Sequence, residues 1–165
     1  MVRILIFILV SSFLLSCGDE NNSGIPFQAT VKANGLLENF TGKLVFHLYE
    51  NKKPDGSPLN CTELKADNEN TLKNTLVDEL VSLTLEINYN NNPKYDESKL
   101  RNIEISTGRK LLYAELFDNS ATPQKIGHAC ETVVKCEYLG NSSVTNANEI
   151  EKGDKACVIL NLEAN

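Results

Sequence analysis

Residues 81–87 read Val81-Ser82-Leu83-Thr84-Leu85-Glu86-Ile87, and their strict alternation of apolar and polar side chains sets the fold class. Successive side chains of an extended chain point to opposite faces. This stretch therefore presents one apolar and one polar face, as a strand half buried against a core does. The polar run Asn88-Tyr89-Asn90-Asn91-Asn92-Pro93 stops it, since asparagine favours turns and proline cannot donate to a ladder.

The same period recurs on both sides. Phe27, Ala29, Val31 and Ala33 alternate with Gln28, Thr30 and Lys32. Residues 44–49 (LVFHLY) are denser, with Leu44, Phe46 and Leu48 on one side and Val45, His47 and Tyr49 on the other; Lys53-Pro54-Asp55-Gly56 follows as a turn. Ile103 and Ile105 mark a short strand before Thr107-Gly108, and residues 111–117 (LLYAELF) another, closed by Asp118-Asn119-Ser120 and Pro123. Residues 126–134 and 156–162 complete the set, the last with Ala156, Val158, Leu160 and Leu162 on one face. Seven short strands between turn signals predict an all-β chain, an antiparallel β-sandwich. In residues 62–80 the spacing of Leu72, Leu76, Val77 and Leu80 fits either a short helix between residues 66 and 80 or a loop, with the helix preferred. No repeat of 20–50 residues is visible.

The N-terminus bears on the compartment. Arg3 precedes an apolar run from Ile4 that ends at Leu15, interrupted only by Ser11 and Ser12. Twelve helical residues measure about 18 Å against a hydrocarbon core of about 30 Å, too short to span and suited to a signal peptide. Leu14-Leu15-Ser16-Cys17 resembles the lipobox of bacterial envelope lipoproteins. That resemblance implies that residues 1–16 are removed and that the Cys17 sulfur carries a diacylglycerol, with the freed amino group acylated as well. Two or three chains moor a protein where one holds only marginally. Gly18 stands where aspartate would signal inner-membrane retention, which implies delivery to the outer membrane, facing the periplasm or exposed on the surface. Asp19-Glu20 is similar to the surface-export signals of some bacteria.

Residues 17–26 then form the lipidated cysteine and a polar tether, and residues 27–165 the single domain. Residues 18–24 (GDENNSG) lack large apolar groups, and seven residues of coil span roughly 15 Å. Without Arg3 the mature chain has 15 basic and 22 acidic side chains, a net charge of −7. Phosphates would be repelled, so nucleic acid is excluded as a partner, and membrane contact is expected from the acyl chains rather than from charge.

With Cys17 acylated, Cys61, Cys130, Cys136 and Cys157 remain, an even set in an oxidising compartment. An extended segment puts Cys130 and Cys136 about 20 Å apart, beyond disulfide reach. Of the two schemes left, Cys61–Cys130 with Cys136–Cys157 is favoured. A zinc site of His128, Cys130, Cys136 and Cys157 is conceivable, but the spacings fit no standard pattern.

Residues 108–118 (GRKLLYAELFD) with Ile126-Gly127-His128-Ala129-Cys130 resemble transthyretin-like and related Ig-like sandwich modules, in which a glycine-led apolar strand, an aspartate turn and a returning strand follow one another. The resemblance implies a sandwich. Transthyretin-like hydrolases use a site containing His, Arg and Ser, and no matching constellation occurs here, so that activity is not implied.

Other chemistry is sparse. His47 lies within an apolar strand and reads as a packed side chain; Ser57, Ser106 and Ser142 sit in turns with no nucleophile motif. The acidic clusters Asp19-Glu20, Asp67-Asn68-Glu69-Asn70 and Asp96-Glu97 lack a calcium-loop pattern. Asn39, Asn60 and Asn141 match the glycosylation acceptor pattern, coincidentally in a bacterial chain. No cofactor is expected. The expectation is a lipid-anchored cell-envelope protein, not an enzyme, whose domain binds a protein or carbohydrate or serves as a scaffold. The alternative is an inhibitor or ligand carrier that traps a hydrolase or small molecule, with residues 140–154 protruding into the partner.

Overall fold

In a computed structural model, which describes residues 24–32, 40–81, 83–88, 97–141 and 144–165, the alternating stretches become strands. Residues 1–16, Cys17, the tether to residue 23, Ala33, Asn39, Ser82, the polar run at 89–93, Asp96 and Ser142 lie outside the described residues. The strands are β1 (Ile25–Lys32), β2 (Thr41–Glu50), β3 (Leu83–Asn88), β4 (Glu97–Ile105), β5 (Lys110–Asp118), β6 (Lys125–Thr132), β7 (Val134–Lys135), β8 (Ala156–Asn161) and β9 (Glu163–Ala164). Seven have six residues or more; β7 and β9 have two each.

They form two sheets, ordered β4-β1-β8-β7 and β3-β2-β5-β6-β9, stacked as a sandwich. Ile25, Phe27, Ala29 and Val31 of β1 and Ala156, Val158 and Leu160 of β8 meet Leu44, Phe46 and Leu48 of β2 and Leu112, Ala114 and Leu116 of β5 in one buried cluster. Period-two burial thus decides which side chains enter the core. Ladders are antiparallel except β1 with β8, which run parallel from Phe27 opposite Ala156 to Lys32 opposite Asn161.

Three local departures matter for the site. Residues 126–134 do not form one strand. The chain leaves the five-stranded sheet after Thr132, buries Val133 with its N–H on the carbonyl of Lys110, and enters the other sheet as β7. Cys136, just beyond this corner, is bonded to Cys157 of β8. Between residues 59 and 80 the preferred helix is mostly absent. One α-helix, α1 (Cys61–Ala66), begins earlier, under a capping box in which the Asn60 side chain accepts from Glu63 N and Glu63 reaches back to Asn60 N. Only a single 3-10 turn follows, at Lys73–Thr75. Third, β3 starts at Leu83, and Val81, read as its first inward residue, is 82% exposed at φ 50°.

α1 and the segment after it lie across the outer face of the five-stranded sheet as a third layer. Leu59 and Leu64 pack there with Tyr49, Leu111, Tyr113 and Cys130, and Leu72 and Leu76 cover the edge. The Cys61–Cys130 disulfide bolts α1 to β6. Strands β2 and β5 are therefore covered on both faces, which explains their density in apolar residues.

Candidate functional site

The polar chemistry of the molecule gathers where residues 67–81 cross the outer face of β2 and β5. In register, His47 stands opposite Tyr113 and Val45 opposite Glu115, so Glu115 is the diagonal neighbour of His47. Asp67 Oδ2 accepts from Lys73 N at 2.8 Å and sets the 3-10 turn that turns Lys73 down onto the sheet. Lys73 Nζ donates to Glu115 Oε1 at 3.1 Å and lies 4.7 Å from the Tyr113 ring centre. The Tyr113 hydroxyl donates to the same oxygen at 3.2 Å, and Lys125 Nζ is 3.6 Å away. His47 Nδ1 donates to Asp78 Oδ2 at 2.9 Å, and its Nε2 is 3.6 Å from Glu115 Oε2.

Asp78 also completes the sheet. The β2–β3 ladder ends with Phe46 opposite Leu83, which leaves the next backbone groups of β2 without a strand partner. Asp78 Oδ1 accepts from Leu48 N at 3.0 Å, and Glu79 N donates to Leu48 O at 2.9 Å. The crossing segment substitutes for the missing length of β3.

Charge states follow from this packing. Burial disfavours the His47 imidazolium, but the carboxylates of Asp78 and Glu115 outweigh it and raise its pKa to about 9. Burial likewise opposes ionisation of Glu115, yet His47, Lys73 and Lys125 lower its pKa to about 2. Burial, assisted by nearby carboxylates, pushes the Tyr49 and Tyr113 phenols up. At neutral pH the group is a clamp of two carboxylates among three cations: a histidine already protonated cannot act as a base, and a carboxylate held ionised has no proton to donate and is itself a weak base. A shallow recess of about 200 Å³ lies over it, lined by His47, Tyr49, Lys73, Asn74, Asp78 and Glu115.

A second polar knot adjoins the first. Lys110, 1% exposed at the start of β5, places Nζ 2.9 Å from Glu79 Oε2 and donates to Ser106 Oγ at 2.7 Å. Glu79 also accepts from the Ser106 N–H and hydroxyl. Beside this knot opens a cleft of about 570 Å³, with Lys52, Pro54, Leu76, Val77, Glu79 and Lys110 among its walls.

The residues singled out in the sequence are dispersed by comparison. Cys17 lies outside the described residues, and Cys61, Cys130, Cys136 and Cys157 are all in disulfides, so none of these four offers a thiolate to a metal. His128 bonds Asn165 Oδ1 through Nδ1 at 2.8 Å, near Glu163. Ser57 is tied to Asp55 and Ser106 to Glu79, while Asp67 and Asn60 serve as backbone caps. The loop at 140–154 is held down where described: Ala147 and Ile150 are buried, and Ile150 bridges Gly108 through paired backbone hydrogen bonds. Only His47 of the residues weighed for chemistry joins the clamp. Lys73, Asp78, Lys110 and Glu115 went unread; the available signal was the polar pair His47 and Glu115 on strands otherwise apolar on both faces, since such residues need partners. Among the described residues no group of three or more His, Cys, Asp or Glu is placed to hold a metal, and no helix is long and apolar enough to cross a membrane. Compared with family models, curated proteins and solved structures, the chain matches none.

Proposed function

We propose that the protein is a lipid-anchored component of a bacterial cell envelope, a non-enzymatic β-sandwich binding or scaffolding domain on an acylated Cys17. One observation carries the reading. The two disulfides consume four of the five cysteines, and the fifth is the one within the lipobox-like Leu14-Leu15-Ser16-Cys17. Two disulfides suit an oxidising compartment beyond the cytoplasm, and acyl chains on the remaining sulfur suit a chain whose net negative charge gives it no attraction to anionic lipid. The non-enzymatic part is supported by the clamp, whose histidine is charged and doubly engaged at neutral pH. Partner binding then falls to surfaces of the sandwich outside the clamp.

Mass analysis of the N-terminal fragment of the native protein tests the anchor: a mature chain starting at Cys17 and heavier by its acyl groups is expected, with Cys17→Ser released into the soluble fraction. An unmodified sulfur at position 17 overturns it. Crosslinking in cells, read with and without Cys17→Ser, identifies the partner; hydrolytic turnover that survives purification and is abolished by His47→Gln would replace the binding reading with an enzymatic one.

A further inference from the structure

The sandwich has two poles, and they differ. One carries the ends of β2 and β4, the starts of β1 and β5, and the turn at residues 78–81. There Gly24 N donates to Glu104 Oε2 at 3.2 Å, and a cleft of about 340 Å³ opens between Gly24, Ile25, Glu79, Ser106 and Lys152. Glu79 is flanked two residues away on each side by Val77 and Val81, which are 83% and 82% exposed. Both belong to the segment that carries Glu79 into this cleft, and Val77 also lines the cleft beside Lys110.

Val81 bears a second cost. Among the described residues, the non-glycine positions with positive φ are Asn70, Asn102, Asn146 and Val81. Asparagine tolerates the left-handed region, whereas a β-branched side chain is strained in it. The turn thus holds a valine in an unfavourable conformation with its apolar surface in water.

We propose that this pole rests on the lipid bilayer, with Val77 and Val81 as its apolar contacts; the inference rests on the acylation of Cys17. Residues 18–24 reach at most about 25 Å, close to the length of the nine-residue strand β5 at about 3.3 Å per residue. An anchored chain therefore keeps the Gly24 pole within reach of the membrane. Two valines are a weak contact for a free protein, but tethering makes their docking intramolecular, at high effective concentration. Apolar docking also needs no anionic lipid, consistent with the excess of acidic side chains in the chain.

The chain contains no tryptophan, so one introduced indole reports its own position. Val77→Trp, in the full acylated chain reconstituted into phosphatidylcholine vesicles, is expected to lose at least half its fluorescence to lipids brominated on their acyl chains. Ala121→Trp, exposed at the opposite pole after β5, is expected to keep nearly all of it. Val81→Gly, added to Val77→Trp, relieves the left-handed strain: it is expected to raise the Tm by a few degrees while reducing the quenching at least twofold. Mass analysis of the same preparation reads the acyl groups. An acylated chain with equal quenching at the two poles overturns the docking and leaves the anchor standing, whereas an unmodified Cys17 overturns both. Emission from Val77→Trp that shifts blue with protein concentration in detergent, without quenching in vesicles, assigns the patch to a second copy and also overturns the proposal.

Discussion

Glu115 is the residue on which the outer layer turns, because one carboxylate answers His47, Lys73, Lys125 and the Tyr113 hydroxyl. Removing one member of a buried ion pair leaves the other desolvated and uncompensated. Glu115→Ala is expected to cost about 3–5 kcal/mol in urea unfolding, and Lys73→Met combined with Glu115→Met should cost clearly less than the sum of the two single changes. Additive losses would mean that the two residues do not act as a pair. The pH dependence has a defined sign. His47 has a folded pKa raised from 6.5 to about 9, so its contribution is complete below about 6.5 and is lost as the pH rises through 9. Glu115 has one lowered from 4.5 to about 2, so its contribution is complete above about 4.5 and is lost as the pH falls toward 2. Both are fully present between about pH 4.5 and 6.5. Stability is expected to fall on the alkaline side by an amount on the order of 2–3 kcal/mol by pH 10, and His47→Gln should remove that slope in denaturant titrations at pH 6, 8 and 10. An unchanged slope would place the titrating group elsewhere.

At the scale of elements, the crossing segment is held by side chains bonded to backbone rather than by its own regular structure. Asp67 caps the 3-10 turn, Asp78 takes Leu48 N and Leu80 N, and Glu79 takes the Ser106 N–H. Asp78→Ala is expected to speed hydrogen exchange at Leu48 by at least tenfold and to loosen residues 67–81, while amides of β1 and β8 keep their protection. Equal acceleration in β1 would show that the segment is integral to the sandwich. This arrangement also explains what could be read from sequence. Strand faces were legible because period-two burial is a local property: Leu44, Phe46 and Leu48 are each fully buried where their alternation puts them. The segment was not, because Leu72 and Leu76 cover the outer cluster, Leu80 joins the main core and Val77 faces water. One helical stripe cannot serve three environments. The clamp was hidden for a related reason: the partners of His47 lie 31 residues away at Asp78 and on another strand at Glu115, and no local pattern encodes such a meeting.

For the whole molecule, the two disulfides divide the labour between layers. Cys136–Cys157 works within the four-stranded sheet, fixing the chain just after the corner at Val133, and spans 21 residues. Cys61–Cys130 spans 69 residues and joins the outer layer to the sandwich. Closing the longer loop removes more freedom from the unfolded chain, so chain entropy assigns about 4 kcal/mol to Cys61–Cys130 and about 3 kcal/mol to Cys136–Cys157. The structural consequences should differ more than the energies. Without Cys61–Cys130, α1 is held among the described residues by the Lys53–Glu63 and Lys65–Glu163 pairs, both partly exposed, and by the apolar cover of Leu59 and Leu64. Cys61→Ala with Cys130→Ala is therefore expected to let residues 59–81 exchange early, as a unit, while β1 and β8 stay protected. Cys136→Ala with Cys157→Ala should instead weaken protection at β7 and the start of β8 and leave the outer layer closed. Both are read by hydrogen exchange alongside urea unfolding. If the two pairs of substitutions opened the same residues, the outer layer and the sandwich would be one cooperative unit, and the clamp at Glu115 would be holding the entire fold rather than its cover.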